Sequence, residues 1–313
     1  MTTFIIRRIA TIIPTLIFVS LLIFGLQQLL PGDPAMILAG EERDPTVIAH
    51  LRETMHLDQP FPVRYLYWLR GVLHGDLGES LRLQQPVRGL IADKLPVTLE
   101  LACIAIVIAL VIGIPAGVVS AVKRGTAWDY GANVVALWGL STPNFWLGIM
   151  LILLFSVTLG WLPASGYVSP FEDWRANLAS MIMPAFVLGN AIAAVLMRHT
   201  RSAMLQAMTS DYVRTARAKG LAERRVVLKH ALRSAITPIV TAAGLDIGVL
   251  LGGAILTETV FNIPGIGRYA YDSIINSDLP AIEGTVLFGA FFIITANIFV
   301  DILYAFLDPR VRY

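Results

Sequence analysis

Six stretches of the chain are apolar for 18 residues or more, at 9–30, 97–122, 133–159, 180–197, 236–256 and 282–307. A helix that crosses a bilayer needs roughly 20 such residues. Lipid offers no partner for free backbone groups, and the runs are too long for barrel strands, so each is expected to be a helix. Pro115, Pro143 and Pro238 fall within these runs or at their ends and are expected to kink the helices rather than abolish them. The first run follows Arg7 and Arg8, which also fits a signal peptide. It is longer than a signal core, however, and Leu30-Pro31-Gly32-Asp33-Pro34 follows it in place of a small-x-small cleavage site. The expected fold class is an all-α membrane protein with six transmembrane helices. Residues 1–30 form the first of them, 31–96 an outer segment and 97–313 a core of five.

Charge sets the orientation. With the N-terminus inside, fifteen Lys and Arg residues fall on the inner side, nine of them between the fourth and fifth runs. The two short outer loops hold only Arg175 and Arg268. The outer segment carries seven basic and nine acidic residues, but long segments translocate regardless of charge. Both termini are therefore expected in the cytoplasm. Composition agrees with a lipid solvent: 56% of the 313 residues are hydrophobic and 15% charged, with a mean hydropathy of +0.69. A net charge of +2 gives no case for nucleic acid. The lone Cys103 can form no internal disulfide and is expected as a small buried hydrophobe.

In the outer segment, Asp44-Pro45 is a good helix start, and 61–73 offers Tyr65, Leu66, Trp68 and Leu69 for packing. His50 and His56 are badly spaced for one helical face, and no metal site is expected. The inner connection carries two short helical pieces parted by Gly220, with Ser210 or Asp211 as the cap of the first. By composition it is either a basic loop against anionic lipid or a docking element for a partner with carboxylates.

Arg214-Thr215-Ala216-Arg217-Ala218-Lys219-Gly220 resembles the cytoplasmic coupling loop of permease subunits of binding-protein-dependent ABC importers. In the general pattern Gly220 matches the glycine, Ala216 the second alanine and Leu232 the leucine. Arg214, Thr215, His230 and Arg233 replace Glu, Ala, Ile and Pro. The longer string from Asp211 to Leu221, ending in Lys229-His230-Ala231-Leu232-Arg233, is closer to the peptide-importer branch. Leu30–Pro34, Gly75-Asp76-Leu77-Gly78 with Ser80, Lys123-Arg124-Gly125, Glu258-x-x-Phe261-x-x-Pro264-Gly265-Ile266-Gly267 and Asp308-Pro309-Arg310 resemble further blocks of that branch.

The resemblance implies a type I ABC importer permease fold, in a multi-pass protein of a bacterial inner membrane. A second permease supplies the other half of the pathway, two cytoplasmic subunits bind ATP with its magnesium, and an outer solute-binding protein delivers the cargo. The cargo implied is a dipeptide, oligopeptide or glutathione, with a nickel chelate or an opine as the alternative. This chain is not expected to be an enzyme or to carry a cofactor, and it contains no Gly-Lys dipeptide from which a P-loop could be built. The resemblance places ATPase coupling at Arg214, Thr215, Ala216, Arg217, Lys219, Gly220 and Leu221, in a loop at 209–233. It places an outer gate at Glu258, Phe261, Pro264 and Gly265.

Asp246 lies about ten residues into the fifth run, among Gly244, Gly248, Gly252 and Gly253. Ionisable groups at membrane depth are costly and often functional. It is either hydrogen-bonded or protonated between helices, or lines the pathway opposite a substrate ammonium group. In the last run, which holds Asn297 and Asp301, a structural pairing of Asp301 with a basic residue is expected, and Glu100 and Asn190 are expected to hydrogen-bond between helices. A transporter acting alone or a membrane scaffold is the rival reading, but neither internal repeats nor several paired intramembrane charges favour the first.

Overall fold

Where they are described, the apolar runs fold as helices, and several of those helices extend beyond the apolar stretch. The computed structural model describes residues 2–27, 35–36, 44–54, 57–236, 239 and 247–307. Helix α1 (Thr2–Gln27) leads to α2 (Pro45–Thr54) and α3 (Phe61–Leu73), and then to the long α4 (Val87–Val122). α5 (Ala127–Ser141) and α6 (Asn144–Leu151), which runs on into a π-helical stretch Ile152–Thr158, precede α7 (Trp174–Met208). α8 (Asp211–Ala218) and α9 (Glu223–Arg225), the latter continued by a π turn Val226–Ala231, lie on the connection after α7; this end of the helices is termed inner and the opposite end outer, after the orientation expected from charge. α10 (Ile247–Val260), α11 (Ile266–Ile275) and α12 (Leu279–Leu307) complete the chain. Among the described residues the only β feature is an isolated bridge between Glu79 and Pro86.

Three of these helices are long and apolar enough to cross a membrane: Val87–Val122, Trp174–Met208 and Leu279–Phe299. The run at 133–159 is not the single kinked helix expected. α5 and the α6 stretch meet at 103°, because Pro143 cannot donate and drives Thr142 into extended backbone (ψ 121). α4 begins ten residues before the expected span, and α7 extends past both ends of its own. Hydropathy falls at the end of an apolar run, whereas a helix can continue through polar residues as long as its backbone groups stay paired. Asp246, Pro238, Leu30–Pro34 and Asp308–Arg310 lie outside the described residues.

α7 is the central helix: 72% of its apolar window is buried, against 22% for α4 and 28% for α12. Small residues let α4 come close to it. A Cβ on Gly189 would stand 2.6 Å from the Ala105 carbonyl oxygen, one on Gly113 2.7 Å from that of Ala193, and one on Gly117 2.6 Å from that of Met197. The contacts advance together along both helices, so α4 and α7 run parallel. Leu101, Ala105, Met181, Val187, Leu250, Phe261 and Ile263 form the core around the outer half. Polar side chains tie the same layer. Asn177 donates to Glu100 (2.7 Å) and Asn190 to the Gly139 carbonyl (3.2 Å), the hydrogen bonds expected between helices, and Tyr167 from the loop before α7 adds a second donor to Glu100 (2.8 Å).

The outer segment is folded where it is described. Asp44 accepts from the Thr46 N–H (2.9 Å) at the start of α2, with Pro45 opening the helix. Phe24 of α1 is ringed by Phe61, Tyr65 and Trp68 of α3, with centroids 5.4–5.7 Å away, and the Ser20 and Tyr65 hydroxyls share a 2.8 Å hydrogen bond. Leu66 stays exposed. Cys103 corrects an expectation, since it is exposed on α4 rather than buried. A helix that is apolar all round does not reveal which side meets protein and which meets lipid.

The α4–α7 contact leads to a direct prediction. Gly189→Leu forces a side chain into the Ala105 backbone and should cost about 1–3 kcal/mol or more. Gly131→Ala, where a Cβ meets nothing within 4 Å, should leave stability unchanged or slightly raised. Melting midpoints of the detergent-purified protein would separate the two, and equal midpoints would refute the close approach.

Candidate functional site

At the inner end, the chain leaves α7 at Met208 and turns directly into α8. Ser210 holds the N-cap position, but its hydroxyl donates back to the Ala207 carbonyl (2.5 Å), so the expected side-chain cap does not form. α8 is amphipathic within two turns. Val213 and Ala216 are buried against Met204, Ala207, Val226 and Val227, while Arg214, Thr215, Arg217 and Lys219 are exposed. Ala216, expected at a partner's surface, therefore faces inward and seats the helix, and Leu221 packs against the same cluster. The exposed face is formed by the residues between them.

Gly220 ends the element. Its φ of +72 lies in the left-handed region, and its N–H donates to the Arg217 carbonyl (2.9 Å). A Cβ there would meet nothing within 4 Å, so glycine is required by conformation and not by space. Arg217 bridges to Glu223 across the turn (2.7 Å), and its guanidinium holds that carboxyl below the usual carboxylate range. Both groups are well exposed, so the pair contributes about 0–1 kcal/mol. Arg214 reaches Asp211 only at 3.4 Å and remains three-quarters exposed.

At the outer end a buried carboxylate performs the opposite task. Gly265 holds the N-cap position of α11, whose first N–H groups need acceptors. Glu258, fully buried near the end of α10, accepts from the Arg268 N–H (2.9 Å), the Gly267 N–H and the Thr98 hydroxyl (2.7 Å). Thr98 in turn accepts from the Ile266 N–H (2.9 Å). A negative charge at a helix N-terminus is favourable, and this one ties α10, α11 and α4 together. A Cβ on Gly265 would overlap the carboxylate, which is why that position is glycine. Phe261 is buried in the core, and Pro264 lines an outer cavity of about 290 Å³ beside Arg82, Lys94 and Arg268.

Asp278 repeats the device at the start of α12. It accepts from the Ser80 hydroxyl and from the N–H groups of Leu81 (3.0 Å), Arg82 (3.5 Å) and Ala281 (3.4 Å), which anchors the outer segment. The sequence marked Glu258 and Gly265 but missed Thr98 and Asp278, because their partners lie 160 and 198 residues away. Among the described residues no group of His, Cys, Asp and Glu is arranged to hold a metal ion.

Removing the Glu258 carboxylate should loosen the outer end. Glu258→Ala orphans the donors it serves, at about 1–3 kcal/mol each. Glu258→Gln keeps an acceptor and should fall between that variant and the parent. Thermal midpoints in that order, with early proteolysis near 261–280 in the alanine variant, are the expected result.

Residues 113–313 match the family described as "Binding-protein-dependent transport system inner membrane component", and residues 1–102 match its N-terminal companion. A putative peptide transport system permease protein of Brucella abortus (strain 2308) is 44% identical over the whole of both chains. The dipeptide transport system permease protein DppB of Escherichia coli (strain K12) is 44% identical over all of this chain and 99% of its own. Pseudomonas aeruginosa (strain UCBPP-PA14) has a di/tripeptide counterpart at 43%, with the same coverage. Among solved structures, a chain of the inward-facing MetNI methionine ABC transporter superposes on 70% of this chain and 96% of its own. Its TM-score is 0.58 at 19% identity, a likeness of fold. Matching models along nearly the whole length, together with full-length relatives above 40% identity, make the chain a member of the binding-protein-dependent transport system inner membrane component family.

Proposed function

We propose that this chain is one of two membrane-spanning subunits of an ATP-driven importer in a bacterial inner membrane, and that its cargo is a peptide. The observation that carries the reading is α8, a short helix with an exposed basic face, seated by Val213 and Ala216 at the inner end of the central helix α7. The names of the full-length relatives support the peptide cargo. The chain then spans the membrane six times with both termini in the cytoplasm, an orientation that the basic residues between α7 and α10 support.

In this reading the chain itself performs no chemistry. Two cytoplasmic subunits close around ATP and press on Arg214, Thr215, Arg217 and Lys219. Packed interfaces hold discrete arrangements instead of deforming smoothly, so the push passes from α8 into α7 as a rigid displacement. The cavity shared with a second permease opens outward beneath α11, whose start at Glu258, Pro264 and Gly265 forms the outer gate facing a docked solute-binding protein. Hydrolysis resets it. Asp246 is assigned to the pathway, opposite the ammonium group of the cargo.

Gentle extraction of the tagged chain from its native membrane tests the assembly. Recovery of a second multi-span protein with P-loop ATPases is the expected outcome. Recovery of the chain alone, moving solute into liposomes without ATP, would overturn the reading. Gly220→Pro, whose ring fixes φ near −65° where +72 is needed, should abolish uptake while ATP hydrolysis continues. Normal uptake by that variant would remove α8 from the coupling.

A further inference from the structure

A second polar cluster lies just above α8, and nothing described so far uses it. Asp129, in the first turn of α5, is 5% exposed and accepts a two-pronged grip from Arg201 of α7, with Nε at 2.9 Å and Nη2 at 3.0 Å. The fully buried Ser120, two residues from the end of α4, donates to the same carboxylate (2.6 Å) and accepts from Arg201 (3.0 Å). Asn133 donates to it from one turn further along α5 (2.9 Å), and the Gly125 N–H closes the set from the turn between α4 and α5 (3.0 Å). Three helices thus meet at one carboxylate whose acceptor positions are filled.

The location gives this geometry a role. Arg201 stands seven residues before the end of α7, so two turns of rigid helix separate it from the turn into α8. Ala121, next to Ser120, belongs to the apolar cluster on which Val213 and Ala216 sit. Just outward of the pair, Gly117 brings α4 against the Met197 carbonyl and Thr200 of α7. The inner ends of α4 and α7 are therefore close-packed there, and this apolar contact sets their separation without a directional bond. A bidentate guanidinium–carboxylate pair fixes both distance and direction, which apolar contacts do not.

We propose that Asp129 and Arg201 are positioning residues for coupling: their ion pair locks α4, α5 and α7 at the inner end, so that displacement of α8 reaches α4 and α5 instead of being lost as slippage along α7. The inference rests on the importer reading. It assigns the pair no contact with ATP or cargo; its effect is on the amount of cargo moved per ATP consumed.

The test uses the complete complex, purified with its solute-binding protein and reconstituted in vesicles, with labelled dialanine as cargo. Asp129→Asn and Arg201→Gln should assemble and hydrolyse ATP, while dialanine moved per ATP falls about fivefold or more, at the lower end of ordinary coupling factors. Arg201→Lys keeps the charge but loses the fork and should fall between them and the parent. Ser120→Ala removes one hydroxyl without leaving a buried charge unpaired, so it serves if the charge variants fail to assemble, and it should lower the ratio by a smaller factor. An unchanged ratio in every variant that assembles would overturn the proposal, as would a loss of assembly in the charge variants with Ser120→Ala unaltered. Failure of the unsubstituted complex to move dialanine at the expense of ATP would instead count against the importer reading.

Discussion

The close approach of α4 to α7 is the contact on which the remaining architecture depends. Gly189, Gly113 and Gly117 let two long parallel helices come together backbone to backbone, and no hydrophobic effect drives such pairing within lipid. Dispersion and shape must supply the attraction, and both require the helices to touch along their length. Once that seam exists, its outer end presents Thr98 and Glu100 to the outer segments, and its inner end presents Ser120 and Arg201 to α5. The polar groups at the two ends are thus placed by a stretch of structure that contains almost no polar group itself.

The two ends use charge in contrasting ways. At the outer end Glu258 and Asp278 are buried, and their oxygens are taken up by backbone N–H groups and hydroxyls of neighbouring segments, so they act as internal fasteners for α11 and α12. At the inner end Arg214 and Lys219 point to solvent and Arg217 makes only an exposed pair, so these cations serve the element little. Charge that does not stabilise its own fold is available to a partner. Under the proposed function, that difference is what distinguishes the outer gate from the docking face.

Much of the fold was legible in the sequence because lipid imposes a simple rule: long apolar runs must be helices. The rule fails at boundaries. α4 carries Arg88, Asp93 and Lys94 in helical conformation ahead of its apolar stretch, since a helix does not end where the membrane does. It also fails at Pro143, because a proline is compatible with a gentle kink as well as with the observed 103° break at Thr142. Cys103 and Ala216 were read the wrong way round, one exposed and one buried, because a small residue in a helix carries no mark of the side it faces. In the sites, glycines demanded by local backbone geometry (Gly220 above all) could be seen, whereas Thr98, Asp278, Asp129 and Arg201 become related only once distant segments fold together.

The seat of α8 has a mechanical consequence. Val213 and Ala216 meet α7 and the π turn through apolar contact alone, whereas covalent chain connects α8 to α7 through only Thr209 and Ser210. Repulsion between touching atoms rises steeply under compression, while dispersion gives way within an ångström under tension. Under the proposed coupling, a thrust toward the membrane is carried by the whole seat, and a pull away from it by the chain links at the two ends of α8 and the exposed Arg217–Glu223 pair. The joint is stiff in one direction and compliant in the other, so the stroke that drives α8 inward would be transmitted more faithfully than the stroke that draws it back.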